Sequence, residues 1–138
     1  MNIEDKHQYV TYRVDSAFNA FLAAKVLAEN GFWNSAVNRL YYAVFYAVNA
    51  LLVHNDINAS SHSGTRSQFS LHFIKNGKLD IKFGKLLAEL YDWRQKGDYE
   101  NIFDYNAESV KPMFSLVLEM IEAINKEINN KKNDIVLP

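Results

Sequence analysis

Residues 35–52 read SAVNRLYYAVFYAVNALL and form the longest apolar stretch of the chain. Its apolar side chains recur at helical spacing, so the pattern predicts a long helix that starts near Asn34 or Ser35 and ends near Val53. Arg39 is the one Asp, Glu, Lys or Arg in this helix. A helix on the surface of a bundle carries charge on its outer face, and this helix carries almost none. We therefore expect it to be buried on two sides.

The second buried face of this helix carries Arg39, Tyr42 and Tyr46 at i, i+3 and i+7, so their side chains stack along it. Either the helix is central in the bundle, or this face meets another copy of the chain, and we favour a symmetric homodimer. In one interpretation, Arg39 and the two tyrosines form a site for a phosphate or carboxylate. In the other, Arg39 is an interface arginine that is paired with a carboxylate. The spacing alone favours the interface arginine.

The rest of the 138-residue chain also reads as helical, with five glycines, two prolines and no alternating strand pattern of useful length. The sequence predicts an all-α fold, an antiparallel up-and-down bundle of four or five helices, in a single domain over residues 1–138. The core of this domain covers about residues 8–128. The predicted helices cover about residues 4–29, 34–53, 65–75, 79–96 and 106–130, with a loop at 98–105 and a frayed tail at 131–138.

Three local signals set the predicted ends of these helices. Asn34 or Ser35 is the expected N-cap of the second helix. Thr65 with Gln68 forms a capping-box pattern for the short third helix. Gly97 is expected to close the fourth helix, because glycine readily adopts the left-handed conformation of a helix stop.

Composition excludes several classes of protein. The formal net charge is -1 and there are no cysteines, which argues against a strongly basic nucleic-acid binder, a disulfide framework and cysteine-ligated zinc. The N-terminus lacks the pattern of a signal peptide. Asn38, Arg39 and Asn49 interrupt the long apolar run, and an isolated membrane span tolerates such residues poorly. We expect a soluble cytoplasmic protein without a membrane association.

A second arginine also lies on an apolar stripe. Phe83, Leu87, Leu90 and Arg94 lie on one line of the fourth helix at i, i+4, i+7 and i+11, so Arg94 extends the face that points to the core. A buried guanidinium needs a partner, because leaving it unpaired is very costly.

The expected partners of Arg94 come from the end of the same helix. Asp92 and Asp98 are the nearest carboxylates, and a turn at Gly97 would bring Asp98 and Tyr99 over the guanidinium. This polar cluster is either a structural salt bridge that closes the bundle or a cleft with a charged arginine, and the sequence favours the salt bridge. Its predicted members are Arg94, Asp98, Tyr99, Asp104 and Tyr105.

The histidines do not form a metal motif. Glu-x-x-His occurs once, at Glu4 and His7, whereas a di-iron bundle needs two copies. His54, His62 and His72 have no metal-ligand spacing with one another, so we expect no metal and no cofactor. His62 lies in the segment SSHSG, which is mainly a loop and cap, and its side chain can point into a shared cleft.

Four stretches together resemble the HEPN domain family, the nucleotide-binding domain of higher eukaryotes and prokaryotes. They are AVNRLYYAVFYAVNALL, SHSG, FIKNGKLD and LYDWRQKGDY. The resemblance covers about residues 8–128 and is closest to the small single-domain bacterial and archaeal branch. It implies a bundle of four or five helices that is commonly dimeric. Many members are metal-independent ribonucleases or toxins of toxin–antitoxin pairs, and others bind RNA or nucleotides, or pair with a minimal nucleotidyltransferase, without catalysis.

The resemblance assigns roles to residues near the end of the fourth helix. Active members carry an arginine with a polar neighbour and then a histidine, with four to six residues between the arginine and the histidine. Arg94 and Gln95 match the first two, and Tyr99 stands where the histidine is expected. Tyrosine, with an ordinary pKa of about 10, is a poor base near neutral pH. Tyr46 likewise occupies the candidate position after Arg39.

These observations predict a regulatory HEPN module that binds RNA or a nucleotide without cleaving it. Its partners are a second copy and an antitoxin or nucleotidyltransferase-type protein. The alternative is a metal-independent endoribonuclease, in which Arg94 stabilises the developing charge and Tyr99 or His62 takes part in proton transfer. The predicted ligand cleft comprises Asn38, Arg39, Tyr42, Tyr46, His62, Arg94, Asp98 and Tyr99.

Overall fold

A computed structural model describes residues 1–99 and 104–136, and this part of the chain is a helical bundle without strands. The predicted all-α fold class is therefore confirmed. The helices are α1 (Ile3–Glu29), α2 (Trp33–His54), α3 (His62–Phe69) with a π-helical continuation (Ser70–Ile74), α4 (Ile81–Tyr99) and α5 (Ala107–Val136).

Helix α2 is the centre of the bundle. It contacts α1, α3, α4 and α5, and its most extensive packing is against α1. Ala36, Ala43 and Ala50, on its second face, are fully buried within the single chain. The central position therefore explains the burial of both faces without a second protomer, and the homodimer stays a prediction.

The burial of α2 also bears on its apolar character. Within the described part of the chain, α2 is the one helix long and apolar enough to cross a membrane. Eleven of its 22 residues are buried against the other helices. The core helix of a soluble bundle has the same length and composition, so its hydropathy is explained by packing.

The other long helices contribute one apolar stripe each, as their 3.6-residue periodicity predicts. Leu116 of α5 has the spacing of a buried stripe residue but is 36% exposed, so it lies at the edge of the stripe. The buried residues of these stripes include Val10, Ala17, Phe21 and Ala24 of α1, Phe83, Leu87, Leu90 and Arg94 of α4, and Met113, Val117, Met120, Ile121, Ile124 and Ile128 of α5.

The start of α3 differs from the predicted start. The helix begins at His62, and Ser61 is its N-cap, with the Ser61 hydroxyl accepting a hydrogen bond from the Gly64 amide at 2.9 Å. The predicted capping box of Thr65 and Gln68 is wrong, because Thr65 lies inside the helix and is buried. His62 therefore sits in the first turn of a helix rather than in a loop.

The end of α4 also differs, and the predicted stop at Gly97 is wrong. The helix continues to Tyr99, so the predicted loop at 98–105 begins later, and residues 100–103 lie outside the described residues. The absent side chain of Gly97 lets two neighbours approach. A Cβ there would lie 3.4 Å from Tyr105 Cε2 and 3.6 Å from Asn34 Cβ.

Asn34 is not the N-cap of α2, which begins at Trp33 with Phe32 at the cap position. Its side chain instead joins the ends of three helices. Asn34 Oδ1 accepts a hydrogen bond from the Tyr105 amide at 2.8 Å, and Nδ2 donates to the Gly97 carbonyl at 3.4 Å. These two hydrogen bonds to residues far away in the sequence replace the local cap that the sequence predicts.

Helix α5 continues to Val136, so the tail predicted to fray is helical up to that residue. Residues 137–138 lie outside the described residues. A helix can continue beyond its apolar stripe, because apolar periodicity reports the burial of a face and not the end of the backbone helix.

Gly97→Ala tests the continuity of α4. Because the residue is helical and a Cβ meets its neighbours at van der Waals distance, the substitution is expected to raise the free energy of unfolding by about 0.5 kcal/mol. Gly31, with φ +78°, is the matched control, and Gly31→Ala is expected to lower that free energy by about 1 kcal/mol. Urea denaturation measures both. Equal losses in the two variants would contradict a helical Gly97.

Candidate functional site

Arg94 is enclosed by aromatic rings. This residue is 8% exposed, although its guanidinium carries a full charge. Its Cζ lies 5.3, 5.4, 5.7 and 6.0 Å from the ring centroids of Tyr41, Tyr42, Tyr91 and Tyr99 respectively. A cation within about 6 Å of an aromatic face is attracted by the electron density of the ring. The four tyrosines therefore replace part of the hydration that the guanidinium loses on burial.

The hydrogen bonding of Arg94 is incomplete within the described residues. Nη1 donates to the Tyr42 hydroxyl at 3.0 Å and lies 3.9 Å from Asp98 Oδ2, the carboxylate predicted to be its partner. Nε is buried and has no partner among these residues. Each buried donor without an acceptor costs about 1–3 kcal/mol, and such groups in native proteins often mark a functional site.

A chain of hydrogen bonds connects the two arginines singled out in the sequence. Arg39 donates from Nε and Nη2 to Asn38 Oδ1 at 3.0 and 2.9 Å, and Asn38 Nδ2 donates to Asp98 Oδ2 at 2.9 Å. Asp98 in turn faces Arg94. Arg39, Asn38 and Asp98 also line a recess of about 540 Å3 at the surface. Both arginines therefore belong to one polar network at the edge of the bundle.

His62 lies against the rings that surround Arg94. Its ring centroid is 5.7 Å from Tyr41, 6.4 Å from Tyr42 and 5.7 Å from Tyr91. A histidine from a distant element thus shares three aromatic neighbours with Arg94. The N-terminal turn of α3 provides this contact.

The protonation state of His62 follows from its surroundings. Burial lowers its pKa from the ordinary value, and the nearby positive charges of Arg94 and Arg66 lower the pKa further. The imidazole is therefore neutral at pH 7. A neutral imidazole carries one N–H donor and one acceptor nitrogen.

Tyr41 determines which nitrogen of His62 carries the proton. Burial raises the pKa of Tyr41 well above its usual range, so the hydroxyl keeps its proton. Tyr41 is fully buried, and among the described residues its hydroxyl has one partner, His62 Nδ1 at 2.5 Å. A buried O–H needs an acceptor, so Tyr41 donates to Nδ1 and the His62 proton resides on Nε2. His62 thus offers an N–H donor to a ligand.

Every arginine of the chain stacks on a tyrosine of one continuous aromatic cluster. Arg13 Cζ lies 5.1 Å from the ring centroid of Tyr46, and Arg66 Cζ lies 4.7 Å from that of Tyr91. The Tyr46 ring lies 5.7 Å from the Tyr42 ring, and ring contacts continue from Tyr42 to Tyr41 and from Tyr41 to Tyr91. We call this cluster the arginine–tyrosine row; its members are Arg13, Tyr46, Tyr42, Arg39, Tyr41, Arg94, Tyr91 and Arg66.

The row carries little negative charge. Of its four arginines, only Arg94 has a carboxylate within 4 Å among the described side chains of residues 1–99 and 104–130. Neighbouring rings also lie close to one another, as the centroid distance of 5.2 Å between Tyr41 and Tyr42 illustrates. Uncompensated guanidinium groups that alternate with aromatic faces can bind an anionic ligand that has planar groups.

The structure brings most of the predicted cleft residues together and leaves others at its edge. The contacts described above join seven of them, namely Asn38, Arg39, Tyr42, Tyr46, His62, Arg94 and Asp98. Tyr99 is 70% exposed and touches only the rim of the Arg94 enclosure. Asp104 and Tyr105, predicted in the same cluster, line a separate recess with Asn34.

Sequence reasoning missed four members of the row. Tyr41, Arg13, Arg66 and Tyr91 are not among the predicted site residues. Two weak signals existed, because Tyr91 lies one turn before Arg94 and Arg66 lies one turn after His62.

Metal-ligand geometry is a separate question. Across the residues that the structure describes, no group of three or more His, Cys, Asp or Glu side chains has a geometry that fits a metal ion. The site is therefore described by its arginines, tyrosines and His62.

The described chain is an all-α bundle whose central helix carries a cluster of arginines and tyrosines. The HEPN domain family matches residues 10–128, and the chain belongs to this family.

The chain is also similar to curated proteins of bacteria and archaea. It is 34% identical to a UPF0332 protein of Thermotoga maritima over 130 residues, which cover 94% of this chain and 98% of that protein. It is 30% identical over 127 residues to a protein of Methanocaldococcus jannaschii named "Putative toxin MJ0605", covering 91% and 95% of the two chains. A second protein of that archaeon, "Putative toxin MJ0142", is 34% identical over 98 residues, covering 71% and 67%.

Proposed function

We propose that this protein is a non-catalytic HEPN module that binds RNA or a nucleotide in a toxin–antitoxin or nucleotidyltransferase-associated system. The observation that supports it best is the arginine–tyrosine row, in which four guanidinium groups stack on one aromatic cluster. We further propose that it acts in the cytoplasm as a homodimer. Two relatives are named as toxins, which supports a role in a toxin–antitoxin system. The protein partner that we propose is an antitoxin or a nucleotidyltransferase.

The row suits a nucleic acid in two ways. Arginine binds phosphate through charge-assisted hydrogen bonds, and Arg13, Arg39 and Arg66 have no carboxylate within 4 Å among the described side chains. Aromatic rings and guanidinium planes stack on unpaired bases, and each base stacked in this way contributes about 1–3 kcal/mol. A local cationic site of this kind is compatible with the overall charge of -1.

The absence of cleavage is inferred from two residues. Tyr99 stands at the position of the family histidine and is mostly exposed. His62, the histidine close to Arg94, uses its acceptor nitrogen for the Tyr41 hydroxyl. Its Nε2–H can donate a hydrogen bond to a phosphate, but a neutral N–H cannot accept a proton from an attacking hydroxyl. The geometry therefore favours binding over general-base catalysis.

A metal-independent endoribonuclease is the second candidate. One observation favours it, namely that His62 approaches the enclosure of Arg94, so that a guanidinium and an imidazole share one site. Catalysis would require the opposite tautomer, with a lone pair on Nε2 and Nδ1–H donating to Tyr41. The two functions therefore differ in the position of a single proton.

The test combines binding, cleavage and the His62 tautomer. We expect the purified protein to bind labelled single-stranded RNA, to leave it intact, and to show the proton on Nε2 in nitrogen-15 NMR spectra at pH 7. His62→Ala is expected to weaken RNA binding about tenfold, since one hydrogen bond to a charged group contributes about 1.5–3 kcal/mol. His72→Ala is the control, because His72 is exposed and its ring bonds to the Gln68 side chain, away from Arg94.

Two results would contradict this proposal in different ways. RNA cleavage that His62→Ala abolishes and His72→Ala preserves would assign the ribonuclease function. No binding of RNA or of any nucleotide by the wild type would refute the binding function itself.

A further inference from the structure

A second cationic surface lies beside the arginine–tyrosine row. It is a groove of about 800 Å3 between α3, its π-helical continuation and α4. We call it the α3–α4 groove. The side chains that give it its polar character are Ser63, Arg66, Ser67, Ser70, Lys75 and Lys85.

The groove has an uncompensated positive charge. No Asp or Glu residue lines it. Arg66, Lys75 and Lys85 form no ion pair with any carboxylate of the described residues. Lys75 and Lys85 are exposed, so both ammonium groups are available to a ligand. Such a surface attracts a polyanion through charge and release of counterions.

The lining chemistry suits a phosphodiester backbone. Three serine hydroxyls accompany the three cations, and serine is a common partner of phosphate oxygens. The remaining lining includes apolar residues, among them Ile74, Ile81 and Ala88, which provide a surface for the faces of bases or sugars.

Arg66 connects the groove to the row. It lines the groove, and its Cζ lies 4.7 Å from the Tyr91 ring centroid. Tyr91 in turn contacts both Arg94 and His62. Arg66 and Tyr91 therefore lie where the row and the groove meet.

We propose that the ligand is a single-stranded oligonucleotide whose backbone runs from the row into the α3–α4 groove. This inference rests on the proposed function and narrows its ligand class, since a mononucleotide would occupy the row and leave the groove empty. Lys75 and Lys85 contact successive phosphates, and Arg66 binds where the two surfaces meet. The groove therefore provides sequence-independent affinity, whereas the row holds the bases.

The test compares a labelled single-stranded RNA of about ten nucleotides with a labelled mononucleotide. The variant Lys75→Gln/Lys85→Gln removes two charges from the groove. It is expected to weaken oligonucleotide binding about tenfold and to lower the log–log salt slope by about 1.4, because each phosphate contact with a single strand contributes about 0.7. Mononucleotide affinity is expected to remain unchanged.

Lys25→Gln/Lys126→Gln is the matched control. Both of these lysines are exposed, on α1 and α5, and the variant loses the same total charge. It is expected to lower oligonucleotide affinity less than about twofold, since charges away from the ligand act only through a screened field.

Four results would overturn the inference. Equal affinity of the wild type for the two probes, or equal losses in the two double variants, would exclude a strand in the groove while the proposed function stands. Weaker binding of poly-glutamate by the groove variant, with unchanged RNA binding, would assign the groove to an acidic protein partner. A wild type that binds neither nucleotide probe would refute the proposed function as well.

Discussion

Arg94→Met is expected to be at least as stable as the wild type and to lose most of its affinity for RNA. Methionine is unbranched, replaces the aliphatic stem of arginine and needs no hydrogen-bond partner in the enclosure of tyrosines. The native guanidinium is desolvated, keeps a buried Nε donor without a partner among the described residues, and lies 3.9 Å from its carboxylate. Replacing a poorly compensated buried ion with an apolar side chain is often stabilising, and we expect a gain of about 1 kcal/mol.

The expected loss of binding has the same origin. Removing Arg94 removes a positive charge and at least one charge-assisted hydrogen bond from the site, which corresponds to about 2 kcal/mol, or roughly 30-fold in affinity. A residue that lowers stability while it supports binding is typical of functional sites. Urea denaturation and fluorescence anisotropy with labelled RNA measure the two effects on the same samples.

Arg94→Ala serves as the control for packing. Alanine removes the aliphatic stem together with the charge, so a cavity forms among the tyrosines. We expect this variant to lose about 2 kcal/mol of unfolding free energy and to bind RNA as weakly as Arg94→Met. A loss of more than 2 kcal/mol in Arg94→Met would contradict the argument and would make Arg94 a structural salt-bridge residue.

The burial of Arg94 and the double burial of α2 were predictable from the sequence. Both depend on helical periodicity, which places Arg94 on the line of Phe83, Leu87 and Leu90 and leaves α2 without a charged face. The sequence pattern does not identify the element that covers each buried face. The same pattern arises when a helix is central in one bundle and when it lies in a dimer interface, so periodicity alone could not decide between them.

The site itself was less predictable because its contacts join residues that are far apart in the sequence. The Tyr41 hydroxyl meets a histidine 21 positions later, and Asn38 meets Asp98 across 60 positions. The Gly97 stop was predicted from local propensity, but the packing of Asn34 and Tyr105 on Gly97 favours a continuous helix. Tertiary packing routinely overrides such local preferences.

Tyr41→Ala is expected to be the most destabilising single change in the site. Tyr41 is fully buried, and its ring contacts Tyr42, Phe45, His62 and Tyr91 while it faces the Arg94 guanidinium. Truncation to alanine removes these contacts and leaves a cavity, for which we expect a loss of about 3–5 kcal/mol of unfolding free energy. That loss is a large fraction of the stability of a small domain. Urea denaturation measures it directly.

Tyr41→Phe separates the hydroxyl from the ring. The phenyl ring preserves the packing and the cation–π contact, and only the hydrogen bond to His62 Nδ1 is lost, so we expect a cost of about 1 kcal/mol. Tyr12→Ala, at a 63% exposed tyrosine, is the surface control and is expected to stay within about 0.5 kcal/mol of the wild type. If Tyr41→Phe cost as much as Tyr41→Ala, the hydrogen bond rather than the aromatic packing would hold the site together. The expected order, with alanine far below phenylalanine, would instead mean that the tyrosine rings form the rigid frame on which Arg94 and His62 are positioned.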